Sequence, residues 1–164
     1  MCRSLLLAVQ ALKLQFDMEI TKTDELTGTA VLVNPDLAGD PASRQGQIGI
    51  VTSASLERDD IYVTFGSGPL ALYGSDALMV LRHPKDIYRE LLSRSGQLDP
   101  ADFKILFQIS LLQDYGESKS IKTAIGLAIR SRVTREIALV SLQQKLDIRS
   151  AHGQSQQSQI TLKR

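Results

Sequence analysis

The chain has 164 residues, of which 43% are hydrophobic and 23% charged, which fits a globular domain and excludes a disordered chain. It has no tryptophan and only 5% aromatic residues, too few for the stacking platforms of single-strand nucleic-acid binders or for an aromatic-lined peptide groove. The formal net charge of +1 hides a gradient: residues 1–83 sum to −4, residues 84–148 to +2 and residues 149–164 to +3.

The first sixteen residues, MCRSLLLAVQALKLQF, hold a short apolar run from Leu5 to Val9 that Gln10 and Lys13 interrupt. A secretory core needs about 7–15 apolar residues, and a membrane span about 20. The pattern predicts an amphipathic helix that packs on the domain. A start at Met18 is the other expectation, because MEITKTDELTGTAVLV opens a domain naturally. Cys2 is the only cysteine, so no intramolecular disulfide forms. With His83 and His152 it is too little for a thiolate metal site. No cofactor is expected, and a reducing cytoplasm is the expected compartment.

Five short strands are predicted next. Residues 28–33, GTAVLV, alternate, with Thr29, Val31 and Val33 on one face and Ala30 and Leu32 on the other; Asn34-Pro35 stops them. A polar loop follows to Gly46. QIGIVTSA at 47–54 is bracketed by Gly46 and Gly49, which predict a bend or a close backbone approach in a curved strand. IYVTF at 61–65 points Ile61, Val63 and Phe65 inward and Tyr62 and Thr64 outward. LALY at 70–73 and ALMVL at 77–81 complete the set.

The segments TGTAVLV, GQIGIVTSA and DDIYVTFGSGPLALYGSDALMVL together resemble an SH3-like small barrel of the KOW and Tudor kind over about residues 27–82. The resemblance rests on an early V-x-V strand, a G-x-I-G-x-V strand, a V-x-F strand before a glycine turn, and a closing D-x-L-x-x-L. It implies a five-stranded barrel and a binding role, toward RNA or protein in KOW-like domains and toward methylated side chains or docking partners in Tudor-like ones. A methyl-reading cage takes several converging aromatic rings, and only Tyr62, Phe65 and Tyr73 are on hand. The loop at 34–46 sets Asp36 and Asp40 against Arg44, where a phosphate-binding loop would be basic.

Beyond His83-Pro84 the periodicity becomes helical. Residues 84–94 place Ile87, Leu91, Tyr88 and Leu92 along one side, with Pro84 in the first turn. Residues 99–115 carry the strongest helical pattern, with Asp99 as N-cap, Pro100 at N1 and Asp102 near the positive helix start. Phe103, Leu106, Phe107, Ser110 and Leu111 make one face and Ile105, Ile109 and Leu112 another. A helix apolar nearly all round is either central or part of an oligomer interface. Residues 118–132 turn Ile121, Ala124, Ile125 and Ala128 inward; Gly126 implies a close helix crossing or a break. Residues 134–146 close the set with Thr134 as N-cap, and short connections imply an antiparallel bundle. The Gln/Ser-rich stretch 149–164 reads as a disordered tail.

The predicted architecture is α+β: an SH3-like β-barrel at 20–82 and a helical domain at 84–148. No P-loop, dinucleotide fingerprint, nucleophile elbow or zinc-protease motif is present, so a non-enzymatic role is expected. His83 lacks an orienting carboxylate nearby in sequence and reads as structural. Asp59, Asp60 and Asp76 fall at turns, where aspartate caps backbone groups. The leading expectation is a module that docks a protein partner or self-associates, with Tyr62, Tyr73, Asp36 and Asp40 as exposed contact residues. The alternative is nucleic-acid binding through Lys119, Lys122, Arg130, Arg132 and Arg135, a run of bases with no acid between residues 118 and 135, joined by Arg149, Lys163 and Arg164. No membrane and no small-molecule substrate is inferred.

Overall fold

The computed structural model describes residues 25–147. The expectations for residues 1–24 and for the tail from 148 onward lie outside the described residues. The architecture is α+β: a six-stranded antiparallel sheet, with helices following its fifth strand. The strands are β1 (Ala30–Val33), β2 (Ile48–Ser55), β3 (Asp60–Thr64), β4 (Ala71–Tyr73), β5 (Leu78–Leu81) and β6 (Leu139–Ser141). Four helices lie between β5 and β6: α1 (Pro84–Ser93), α2 (Pro100–Tyr115), α3 (Ser118–Ala128) and α4 (Arg132–Ala138).

The order across the sheet is β4-β3-β2-β1-β5-β6. β1 is central and buried on both sides, which its continuous AVLV sequence requires. Ala30 and Leu32 enter a core shared with Ile87, Leu91, Leu106, Ile109, Ile125 and Ile137 of the helices. Val31 and Val33 enter a second core with Val51, Ile61, Val63, Tyr73, Leu78 and Val80. The alternation read from the sequence is thus realised on both faces.

The sheet is curled. β4 and β5 stand four places apart in strand order, about 19 Å in a flat sheet at ~4.8 Å per strand. Only residues 74–77 join them, and the five Cα steps from Tyr73 to Leu78 span at most about 18 Å. Two further bonds draw the same region together. Ser75 O accepts from Gln143 N just beyond β6 at 3.1 Å, and Asn34 N donates to Ala77 O at 2.9 Å. The second core fills the concave side that results.

Gly46 takes a positive φ of 73°, a left-handed turn before β2 that glycine adopts without strain. Gly49 serves differently. A Cβ there would collide with Val63 Cγ1 and lie 2.9 Å from Thr64 O, so β2 and β3 approach too closely for any side chain. The register break in β2 falls at neither glycine but between Val51 and Ser53. It inserts one residue, and Ala54 therefore rejoins Val51 in the second core despite the odd spacing.

The sequence expectation of five strands is corrected by β6. The helical pattern over 134–146 breaks at Leu139–Ser141, which pairs with β5 as Met79↔Ser141, Val80↔Val140 and Leu81↔Leu139. Without β6, β5 would be an open edge. The segment satisfies that edge while Leu139 enters the helix-side core and Val140 packs on the other. Residues 142–147 then return to helix. The helix over 118–132 also stops early, at Ala128. Ser131, not Thr134, caps the next helix: Ser131 Oγ accepts from Thr134 N at 3.1 Å, and Thr134 Oγ1 accepts in return from Ser131 N at 3.3 Å. Thr134 is fully buried and also donates to Ala128 O at 2.9 Å, which holds the α3–α4 corner. Gly126 marks no helix crossing, since a Cβ there meets nothing within 4 Å. Asp99 caps α2 as expected, its Oδ1 accepting from Ala101 N at 2.8 Å. The helices share their core with the sheet rather than packing only on one another.

Candidate functional site

The residues singled out by sequence fall on different parts of the molecule, and two of them are buried. On the convex face of β3 and β4, Tyr62 and Leu72 are directly opposed across the strands, 38% and 50% exposed, and Leu70 beside them is 58% exposed. Directly opposed side chains on neighbouring strands lie about 5 Å apart at Cβ, so Tyr62 and Leu72 form one apolar step. β4 is an edge strand, bonded to β3 alone in the sheet order. The Tyr62 carbonyl accepts from Thr52 Oγ1 at 3.1 Å beside the register break in β2, which braces this part of the face.

Tyr73 is not on that face. It pairs with Ile61, an inward position, and is 5% exposed. The expectation of an exposed Tyr73 is corrected by strand phase: Leu70 and Leu72 point out, Ala71 and Tyr73 in. Asp40 is corrected with it, being 6% exposed. The Tyr73 hydroxyl donates to the Asp40 carboxylate, 3.2 Å from Oδ1 and 3.3 Å from Oδ2. Asp40 also accepts from Ala42 N at 2.9 Å and Arg44 N at 2.6 Å, folding the β1–β2 loop around itself. Burial works to raise its pKa, but the hydrogen bonds from Arg44, Ala42, Tyr73 and Ser43 outweigh it and hold the carboxyl below its usual value. The Tyr73 hydroxyl is pushed up to about 12, by burial first and then by the Asp40 charge and hydrogen bond. Phe65 packs edge-on to Tyr73 at a centroid distance of 6.4 Å, and the Arg44 guanidinium lies 5.4 Å above the Phe65 ring. Of the three rings available to a cage, only Tyr62 is therefore exposed.

Asp36 is exposed, as expected, but it is engaged: Arg135 Nη2 lies 3.1 Å from its Oδ2. One residue of each sequence hypothesis thus meets the other in an ion pair. The pair stands in a cleft of about 490 Å³ between the β1–β2 loop and α4, lined by Asn34, Met79, Arg132, Glu136 and Leu139 as well. Arg132 bonds Glu136 at 2.8 Å on the same helix. The cleft is therefore charge-balanced, with two guanidinium groups facing two carboxylates.

The basic run is divided by the fold. Lys119 and Lys122 are exposed one turn apart on α3, and Arg130 is exposed in the link to α4. Arg132 and Arg135 sit in the cleft with acidic partners. His83 caps α1, its Nδ1 accepting from Lys85 N at 3.2 Å. Asp59, at a positive φ of 54°, accepts twice from Ser75 N, at 3.0 and 3.1 Å, and ties the β3 turn to the β4–β5 connection. Asp60 lies 3.8 Å from exposed Arg58. Among the described residues no three His, Cys, Asp or Glu side chains converge as metal ligands would. No described helix is long and apolar enough to cross a membrane.

Sequence reasoning missed Leu70 and Leu72. The alternation within Leu70-Ala71-Leu72-Tyr73 carries the signal, once Ile61 is taken as inward and β4 is placed in register against it. No family model, curated protein or solved structure matches this chain.

Proposed function

We propose that the chain is a non-enzymatic interaction module, built on an SH3-like small barrel, that docks a protein partner through the β3–β4 face. The observation that carries this reading is the exposed Tyr62–Leu72–Leu70 surface at an edge strand. A partner segment that lies along β4 gains main-chain hydrogen bonds and can cover these three side chains, the mode known as β-augmentation. Small apolar steps of this kind, with an aromatic at the centre, are where interface energy concentrates. The barrel reading is supported by the return of β5 to β1, by the curl of the sheet and by the second core enclosed on its concave side.

Nucleic-acid binding is the weaker reading because Arg132 and Arg135 are matched by Glu136 and Asp36. That leaves Lys119, Lys122 and Arg130 as exposed cations of the original five, with no ion pair to another described residue. Capture from lysate at low and high salt, with and without nuclease, separates the two. Phosphate contacts weaken steeply with salt, whereas an apolar docking surface does not. A protein retained through high salt and nuclease is the expected result. Salt-labile recovery of RNA or DNA alone would overturn it.

A further inference from the structure

A second apolar surface lies on α2 and belongs to neither reading above. Leu106, Ile109 and Ser110 form the buried side of this helix, and the opposite side carries Lys104, Phe107, Leu111 and Asp114, all exposed. Their spacing is three, four, three, the stripe that a second helix covers in a coiled-coil seam. At 100° per residue the four fall within an arc of about 80°. Tyr115, 76% exposed, flanks the stripe. Phe107 and Leu111 stand in the middle and a charge stands at each end. Neither Lys104 nor Asp114 has an ion pair to another described residue. Asp114 also lies in the last turn, at the negative end of the helix dipole, where a carboxylate is disfavoured within the helix itself.

We infer that this side of α2 is the interface of a homodimer, in which two copies of the helix pack antiparallel about a two-fold axis at the level of Ile109. The spacing reads the same in both directions. The two-fold therefore sets Lys104 against Asp114 of the second copy, twice, and Phe107 against Leu111, twice. A parallel pair would set Lys104 against Lys104 and Asp114 against Asp114, and like charges oppose it. The stripe is thus complementary to itself in one orientation only. With about 200 Å² per large side chain, Phe107, Leu111 and Tyr115 leave roughly 330 Å² open on each copy. Counting both copies and the flanking Lys104, Gln108 and Asp114, the pair buries about 1,000 Å², the lower limit of a specific interface. The dimer is therefore a reversible one, with a Kd on the order of micromolar.

Charge reversal tests the pairing in the full chain, by analytical sedimentation across about 1 μM to 1 mM, a range that brackets this affinity. Both positions are exposed, and Lys104→Glu and Asp114→Lys each suit the helix dipole, so the variants keep the fold. The expected result is a reversible wild-type dimer that either variant alone weakens by about tenfold, two attractive pairs having become repulsive ones. An equimolar mixture of the two variants should restore it, because the mixed dimer again sets opposite charges together at both ends. Four results overturn the inference: a wild type that stays monomeric through the range, single variants as dimeric as wild type, a mixture no stronger than its parts, or a dimer that Leu72→Asp weakens and Lys104→Glu does not. Because the β3–β4 face takes no part in this pairing, failure here leaves the proposed docking function intact, and failure of that function leaves this inference intact.

Discussion

Replacing Tyr73 with phenylalanine removes one hydroxyl and keeps the ring that packs on Phe65. The lost bond is to an ionised carboxylate, and such bonds contribute about 1.5–3 kcal/mol net. Asp40 retains its donors at Ala42 N and Arg44 N, so the expected loss at neutral pH is about 1–2 kcal/mol. For a domain of this size that lowers Tm by roughly 3–8 °C. The pH dependence is the sharper signature. Tyr73 holds its proton in the folded state to about pH 12, against a reference of 10.0. Between those values the unfolded chain has lost the proton and the folded chain keeps it, so stability falls as pH rises. The contribution is whole below pH 10 and gone above about 12, a change of at most about 3 kcal/mol at 1.36 kcal/mol per unit. Denaturant unfolding of wild type and Tyr73→Phe, from neutral pH to the alkaline limit, measures the gap. Wild type should lead at pH 7–9, with the gap closing above pH 10. Equal stabilities at neutral pH, or a gap that does not narrow in the alkaline range, would refute the buried Tyr73–Asp40 bond.

Three other substitutions probe separate parts of the account. Asp40→Asn should destabilise at neutral pH by about 1–3 kcal/mol, and the difference should fade as pH falls below 3.8, because the folded-state carboxyl titrates below that value; urea midpoints over an acid series read this. Gly49→Ala should cost about 1–3 kcal/mol or more in thermal unfolding, since its methyl group meets Val63 and the backbone of Thr64; a neutral result would mean β2 and β3 do not approach closely. Thr134→Val, nearly the same in shape, should cost about 1–3 kcal/mol by leaving Ala128 O and Ser131 N without their partner; unchanged stability would rule out the α3–α4 corner described here.

The strands were legible where period-two alternation met a clear turn. β1 and β3 show this: the two faces read for β1 fall in the two cores, and Ile61, Val63 and Phe65 of the β3 reading pack inward. Helix starts were legible where proline stands in the first turn, as at Pro84 and at Pro100, the latter with its expected Asp99 cap; that His83 caps α1 was not read. What the sequence concealed was non-local. Leu139–Ser141 has apolar spacing that suits helix or strand, and only the unpaired edge of β5 decides for strand. Tyr73 looks like a surface tyrosine until Ile61 fixes its phase and Asp40, 33 residues away, takes its hydroxyl. The basic run from Lys119 to Arg135 reads as one strip in one dimension. The acids that neutralise its second half lie on the same helix four residues on, at Glu136, and a hundred residues back, at Asp36.

The central claim is that the convex β3–β4 face is where a partner docks. Its most direct test is capture from lysate at high salt after nuclease, with wild type and Leu72→Asp as parallel baits of equal stability. Leu72 is half exposed and its side chain contributes to neither core, so the folded domain should tolerate the charge. The account predicts a protein retained by wild type and lost, by tenfold or more, from Leu72→Asp, the loss that about 1.4 kcal/mol at the interface produces. Equal retention by both baits would contradict it.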